Sequence, residues 1–259
     1  MNTSVRWPSS RAQVLPWSRE EFEAQLYSQG RAYHTAHPFD VMLHTGAANP
    51  EQIRGWLANR FYYQINIPVK DAVILANCPD RSVRNHWVQR VLDHDASGDD
   101  PWGIESWLHL GQAAGLSRES VQDLSLVLPG VRFAVDAYVN FACRAPWQEA
   151  VCFSLIDLFA PEIHKQRLTH WQEHYPWIDP ADLDYFQSRA SLARRDLEFG
   201  LAFTLEHFDT RPLQERAIEI LKFKMDVLWQ ISDAIAQRYM VQTPQRYGIA
   251  TPQRHMGPS

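Results

Sequence analysis

Helix start and stop signals punctuate this chain from residue 18 to residue 239. No segment alternates with period two long enough to demand a sheet, and no Asn-Gly or Asp-Gly hairpin turn occurs. Ser18-Arg19-Glu20-Glu21 has the spacing of a capping box, and Gly30 closes the helix it opens. Asn49-Pro50 reads as N-cap and first helical residue of a pattern reaching Asn77, with a kink at Pro68. Asp80 opens a helix to His94, and Pro101 opens another that ends at Gly115. Ser117–Asp123 is a short turn of helix, and Pro129-Gly130 precedes a helix over Val131–Arg144. Pro146 and Pro161 divide the next apolar pattern in two. Asp179-Pro180 precedes a long helix to Phe208, and Pro212 starts the last, which reaches Tyr239. With only 11 glycines in 259 residues, few special turns are available to any other architecture. The expectation is an all-α compact bundle of about seven helices. No Gly/Ser spacer or repeat divides it, so it is read as one domain over residues 18–241. The polar, Pro-, Ser- and Gln-rich ends, 1–17 and 242–259, are read as flexible tails.

Charge and composition remove several function classes. Twenty-five Lys and Arg against 30 Asp and Glu leave a net charge of −5, so bulk-charge binding of nucleic acid is not expected. Anionic small ligands stay open, because they need only a local cluster. Twelve Phe, 10 Trp and 9 Tyr are incompatible with a disordered chain. Cys78, Cys143 and Cys152 are odd in number and form no CxxC pair, which reads as reduced thiols in a cytoplasmic protein. The N-terminus carries no apolar signal region, and no stretch free of charge is long enough to span a bilayer.

Several helices place ionisable residues beside their apolar stripe, where an amphipathic helix places none. Ala217, Leu221, Leu228, Ile231 and Ile235 surround Lys224 at helical spacings. Its amine either reaches water along a packed stem or finds a buried partner. Tyr185 and Arg189 share a face at i, i+4, as do Arg60 and Gln64, with Lys70 beyond the kink. Taken together these residues suggest a cationic interior cavity lined with aromatic rings. Histidine is abundant at 11, with His34 next to Tyr33, His94 between Asp93 and Asp95, and His164 seven residues after Asp157. No Glu-x-x-His, HExxH or paired CxxC supplies a metal site, and no GxGxxG, GxxxxGK[ST] or GxSxG is present. A haem held by a single His is not excluded by spacing.

Long segments of the chain resemble the pyrroloquinoline quinone synthase family, which has a haem-oxygenase-like fold. They are FYYQINIPVKDAVILANCPD (61–80), WVQRVLDHD (87–95), LPGVRFAVDAYVNFA (128–142), LFAPEIH (158–164), HYPWI (174–178), YFQSR (185–189) and KFKMDVLW (222–229). The likeness runs from about residue 20 to about residue 240 and is far more specific than any short motif. It implies a seven-helix bundle, a homodimer, and an oxidase that uses no metal or organic cofactor. The implied substrate is a bicyclic amino acid carrying several carboxylates; its third ring is closed and eight electrons pass to O₂, with H₂O₂ released.

The same resemblance implies roles. His94 is the implied acid/base, and His164, Tyr185, Ser188 and Arg189 the group that holds O₂ or peroxide. His34, Arg60, Tyr63, Gln64, Lys70, Tyr138, Asp157 and Lys224 are implied to meet substrate. Fixed cations and donors are what a polyanion needs in a dry cavity, and His is the natural base near neutrality. One departure is visible: Asp157 stands where the family pattern has Glu, one methylene shorter. Two other readings fit the same bundle. A thiaminase-like hydrolase would need an activated Cys in the cavity, and a non-catalytic binder of an aromatic acid or haem would bind without consuming O₂.

Overall fold

A computed structural model of the chain describes residues 14–95 and 103–241, except for the side chains of Ile156, Asp157 and Ser191. All the regular elements among the described residues are helical, with no strand among them. They form eleven α-helices rather than about seven: α1 (Arg19–Ser28), α2 (Pro38–His44), α3 (Pro50–Asn77), α4 (Arg81–Asp95), α5 (Ile104–Ala113), α6 (Arg118–Gln122), α7 (Pro129–Arg144), α8 (Trp147–Cys152), α9 (Ala160–His174), α10 (Asp184–His207) and α11 (Arg211–Tyr239). Among the short ones, α6 falls in the turn expected over Ser117–Asp123 and α8 follows the break expected at Pro146, whereas α2, seven residues long, is too short to show a period in sequence.

The capping chemistry accounts for most boundaries. Ser18 and Glu21 close a reciprocal box at α1, and Asn49 and Gln52 do the same at α3. The Asp80 carboxylate accepts from the Ser82 and Val83 N–H groups and so starts α4. Pro129 does not precede α7 but forms its first turn, where its missing N–H costs nothing. After Asp179 the chain takes one 3₁₀ turn, Pro180–Leu183, before α10 begins. α3 continues through the buried Pro68, which has no N–H for the Gln64 carbonyl.

α3 is the central element. It packs against α4, α5, α7 and α11, while α10 lies along α9 and α11 along α7. Two details let it sit there. Asn59, fully buried, donates to the Gly55 carbonyl and accepts from Leu128 N–H, which fixes the start of α7. A Cβ on Gly55 would lie 2.4 Å from the Tyr239 ring, so only glycine lets the end of α11 approach this closely. Trp56 joins the Trp107 and Trp171 rings at 5.2 and 5.6 Å, tying α3 to α5 and α9.

The tail expected over 1–17 is anchored at its inner end. Trp17 N–H donates to Gln214 Oε1 at 2.8 Å and its carbonyl accepts from Gln214 Nε2 at 3.0 Å. Arg211 lies 3.8 Å from the Trp17 ring and donates to the Leu15 carbonyl. An aromatic side chain with a cation and an amide to meet it stays packed despite its polar neighbours in sequence. Residues 1–13 and 242–259 lie outside the described residues, as does Pro101, the expected opening of α5.

Candidate active site

The polar residues on apolar stripes converge where α3, α9 and α10 meet. Arg60, Tyr63, Gln64 and Ile67 from α3 face His164 and Arg167 from α9 and Tyr185 and Arg189 from α10. Tyr33, Trp107, Ile163 and Leu228 complete the wall. The empty space among them is about 540 Å³, part of it open to solvent.

Three guanidiniums on one small cavity dominate its electrostatics. Arg167 Nη2 donates to Asp40 Oδ1 at 3.3 Å. Arg60 and Arg189 make no ion pair among the described residues, and Arg189 Nη1 is buried without a hydrogen-bond partner. The Arg60 guanidinium instead lies 4.4 Å from the Tyr63 ring centroid. Both cations are at most 8% exposed. Holding such charges out of water costs several kcal/mol each, of order, unless an anion offsets it.

The histidines respond to this field. Burial and the surrounding guanidiniums push the pKa of His34 and His164 well below the ordinary imidazole value. His94 is lowered to about 3, chiefly by burial and then by the Arg189 cation. The acids flanking His94 in sequence do not counter this. Asp93 pairs with Arg195, and the carboxylate His94 does feel is Asp71, from α3. All three imidazoles are therefore neutral at physiological pH. The His94 Nδ1–H donates to the Arg90 carbonyl at 2.9 Å, since a carbonyl only accepts, and that leaves buried Nε2 a lone pair with no partner.

Tyr185, 4% exposed, donates to Gln64 Oε1 at 2.9 Å and stands edge-on against Trp107 at 4.7 Å. Burial raises its pKa, so it is a neutral donor at the wall. Ser188 points back along the helix and donates to the Tyr185 carbonyl at 3.0 Å.

A second polar cluster sits beside the cavity rather than on it. Lys224, 1% exposed, does not reach water: its ammonium donates to Tyr63 Oη at 2.8 Å and lies 3.4 Å from the Tyr138 ring centroid. The i, i+4 apolar shell that suggested a snorkelling stem is closed over by Tyr63, Tyr138 and Phe153. Lys70 bonds Asp71 and donates to Ser154 Oγ at 2.9 Å, and its ammonium lies 5.8 Å from the Tyr138 ring centroid. Asp71 also accepts from Trp87 Nε1, and Arg90 spans Asp71 and Asp196.

Of the residues singled out in sequence, Arg60, Tyr63, Gln64, His164, Tyr185 and Arg189 line the cavity. His34, Lys70, His94, Tyr138, Ser188 and Lys224 lie behind that wall, all buried. Asp157 falls in the 3₁₀ segment Phe153–Leu158, and its side chain is outside the described residues. Sequence reasoning missed Arg167, Tyr33, Trp107 and Asp40. Arg167 was findable: it follows His164 by three residues, one turn along the same face. Asp40 was not, because its partners Arg167 and Ser232 are distant in sequence. Among the described residues no three His, Cys, Asp or Glu side chains gather as a metal-binding set.

Comparison with known proteins fits this geometry. The sequence profile of the TENA/THI-4/PQQC family matches residues 23–234. The chain belongs to the TENA/THI-4/PQQC family. Proteins named pyrroloquinoline-quinone synthase are similar to it over about nine tenths of its length. One from Pseudomonas putida is 58% identical over 231 residues, covering 89% of this chain and 92% of its own. One from Pseudomonas aeruginosa is 59% identical over 226 residues, covering 87% and 90%. Among solved structures, a Shewanella denitrificans protein with a heme oxygenase-like fold aligns with a TM-score of 0.70 at 14% identity, over 89% of this chain and 97% of its own. A TenA homologue from Pseudomonas syringae aligns with a TM-score of 0.60 at 11% identity, over 91% and 99%. At such identities the structural neighbours establish the haem-oxygenase-like fold of this TENA/THI-4/PQQC member and nothing finer.

Proposed function

We propose that this chain is a cofactor-independent oxidase that performs the final step of pyrroloquinoline quinone biosynthesis. It closes the third ring of the bicyclic amino-acid precursor AHQQ and removes eight electrons, with O₂ as oxidant and H₂O₂ released. The observation that carries this reading is 58% identity to pyrroloquinoline-quinone synthases along about nine tenths of both chains. The cavity chemistry supports it. Arg60, Arg167 and Arg189 suit the carboxylates of such a substrate. Each C–H bond broken during oxidation sends a proton to a base, and His94, buried beside the cavity with no partner on Nε2 among the described residues, is the proposed acceptor. The Arg189 cation and the Tyr185 hydroxyl suit the developing negative charge of reduced oxygen. No metal is required in this reading, because the substrate itself becomes redox-active as it turns into a quinol.

The thiaminase-like alternative lacks its nucleophile: none of the residues described around the cavity is a cysteine, and burial pushes the Cys152 thiol up to about 12. As further parts of the proposal, the protein works in the cytoplasm as a homodimer and takes neither nucleic acid nor membrane as partner. No helix among the described residues is long and apolar enough to cross a membrane.

The direct test is incubation of the purified protein with the precursor, with and without O₂. Pyrroloquinoline quinone and H₂O₂ are expected only with O₂. Precursor bound but unchanged in air would overturn the assignment and leave a binding protein.

A further inference from the structure

His34 and His94 both lie off the cavity wall, both are buried, and each has one ring nitrogen with no partner among the described residues. The partnered nitrogens fix which one carries the proton. His94 Nδ1 faces the Arg90 carbonyl at 2.9 Å and must be N–H, so its free atom is the Nε2 lone pair. His34 Nε2 faces Arg167 Nη2 at 3.3 Å, and a guanidinium only donates, so this Nε2 must be the lone pair. The free atom of His34 is then Nδ1–H. The two rings hold the same tautomer and present opposite chemistry: His94 an acceptor, His34 a donor.

What keeps His34 in that state lies one step further back. Arg167 Nη2 has two hydrogens, and it directs one to His34 Nε2 and the other to Asp40 Oδ1, each at 3.3 Å. Ser232 Oγ donates to the other carboxylate oxygen of Asp40 at 2.6 Å. Asp40 is 1% exposed, on the short helix α2, and its carboxylate ties that helix to α9 and α11 at one point. His34 Nε2 is 3.8 Å from Asp40 Oδ1, too far for a hydrogen bond of its own, so the carboxylate reaches the imidazole through Arg167.

We infer that Asp40 is a positioning residue: through Arg167 it holds His34 as the Nδ1–H tautomer, so that of the two buried rings beside the cavity one keeps an N–H donor and the other a lone pair. The division of labour matters for the reaction proposed above, on which the inference about use rests. A donor can bind a substrate carboxylate or carbonyl oxygen without taking a proton, while the lone pair is left to accept one. If Arg167 turned away, His34 could move its proton to Nε2 and present an acceptor instead.

The test reads the tautomers directly and needs no turnover. Nitrogen-15 spectra of histidine-labelled protein, assigned with His34→Gln and His94→Gln, are expected to give protonated Nδ1 and unprotonated Nε2 for both rings near neutral pH. Asp40→Asn and the milder Ser232→Ala are then compared at unchanged helix content. Asp40→Asn is expected to move His34 toward Nε2–H while His94 stays as it was, and to raise KM for the precursor more than it lowers kcat. Ser232→Ala is expected to shift His34 in the same direction by less. Wild-type His34 found as Nε2–H, or an unchanged His34 spectrum in a folded Asp40→Asn, would overturn the inference. Because the spectra are recorded without substrate, a failed oxidase assay leaves the positioning result readable, and the reverse also holds.

Discussion

His94 titrates near pH 3 in the folded chain and near 6.5 once unfolded, and that gap has a measurable consequence. A buried imidazole that stays neutral cannot take the proton that the unfolded chain takes. The sign is therefore a penalty: it is absent above about pH 6.5 and grows as pH falls toward about 3, where it stops. Between about pH 7 and about pH 5 the unfolded state gains close to one proton at this position. At ~1.4 kcal/mol per pH unit over most of that interval, His94 alone removes about 2 kcal/mol of stability. Replacing it with Gln, which keeps a hydrogen-bonding end and does not titrate, removes the penalty. Urea unfolding of wild type and His94→Gln at the two pH values measures the difference. The variant is expected to lose about 2 kcal/mol less than wild type on acidification, whatever its stability at neutral pH. His34 and His164 act in the same direction but are present in both proteins and cancel. Equal losses would mean that His94 is hydrated or paired with an acid, and the argument for it as a neutral base would fail.

The cavity cations carry a second prediction. Arg60→Ala is expected to weaken binding of the polycarboxylate product at least tenfold, because an unpaired desolvated charge typically costs ~2–5 kcal/mol; calorimetric titration checks it. Gly55→Ala places a methyl 2.4 Å from the Tyr239 ring and is expected to destabilise the fold by about 1–3 kcal/mol, read as a lowered Tm. Exhaustively chelated protein is expected to turn over precursor at the rate of untreated protein, and a requirement for added iron would refute the cofactor-free proposal.

Much of this architecture was legible because its signals are local. Ser18 with Glu21, Asn49 with Gln52, and Asp80 each solve the problem of the first orphan N–H groups within four residues, so a linear reading finds them. The convergence of Arg60, Gln64, Tyr185 and Arg189 was legible for a similar reason: polar residues repeated at helical spacing on apolar faces must point at something shared. What escaped depends on distance in sequence. Whether Lys224 ends in water or among rings is decided by Tyr63 and Tyr138, more than eighty residues away. The direction of the His94 shift is decided by burial and then by Arg189, not by the adjacent acids that draw the eye.

Pro68 falls at the edge of the cavity wall: the α3 residues on the wall, Arg60, Tyr63, Gln64 and Ile67, all precede it, and Lys70 and Asp71 of the neighbouring cluster follow it. Gln64 keeps its side-chain contact with Tyr185, but its backbone carbonyl has lost the partner that would stiffen α3 at that turn. The segment bearing Arg60 and Gln64 and the segment bearing Lys70 and Asp71 are thus joined at a weak seam. Tilting the first segment against the second breaks no hydrogen bond between residues 64 and 68, because none exists there. The ion pairs around Asp71 tie the second segment to α4 through Arg90, and the first segment carries Arg60 and Gln64 on the cavity.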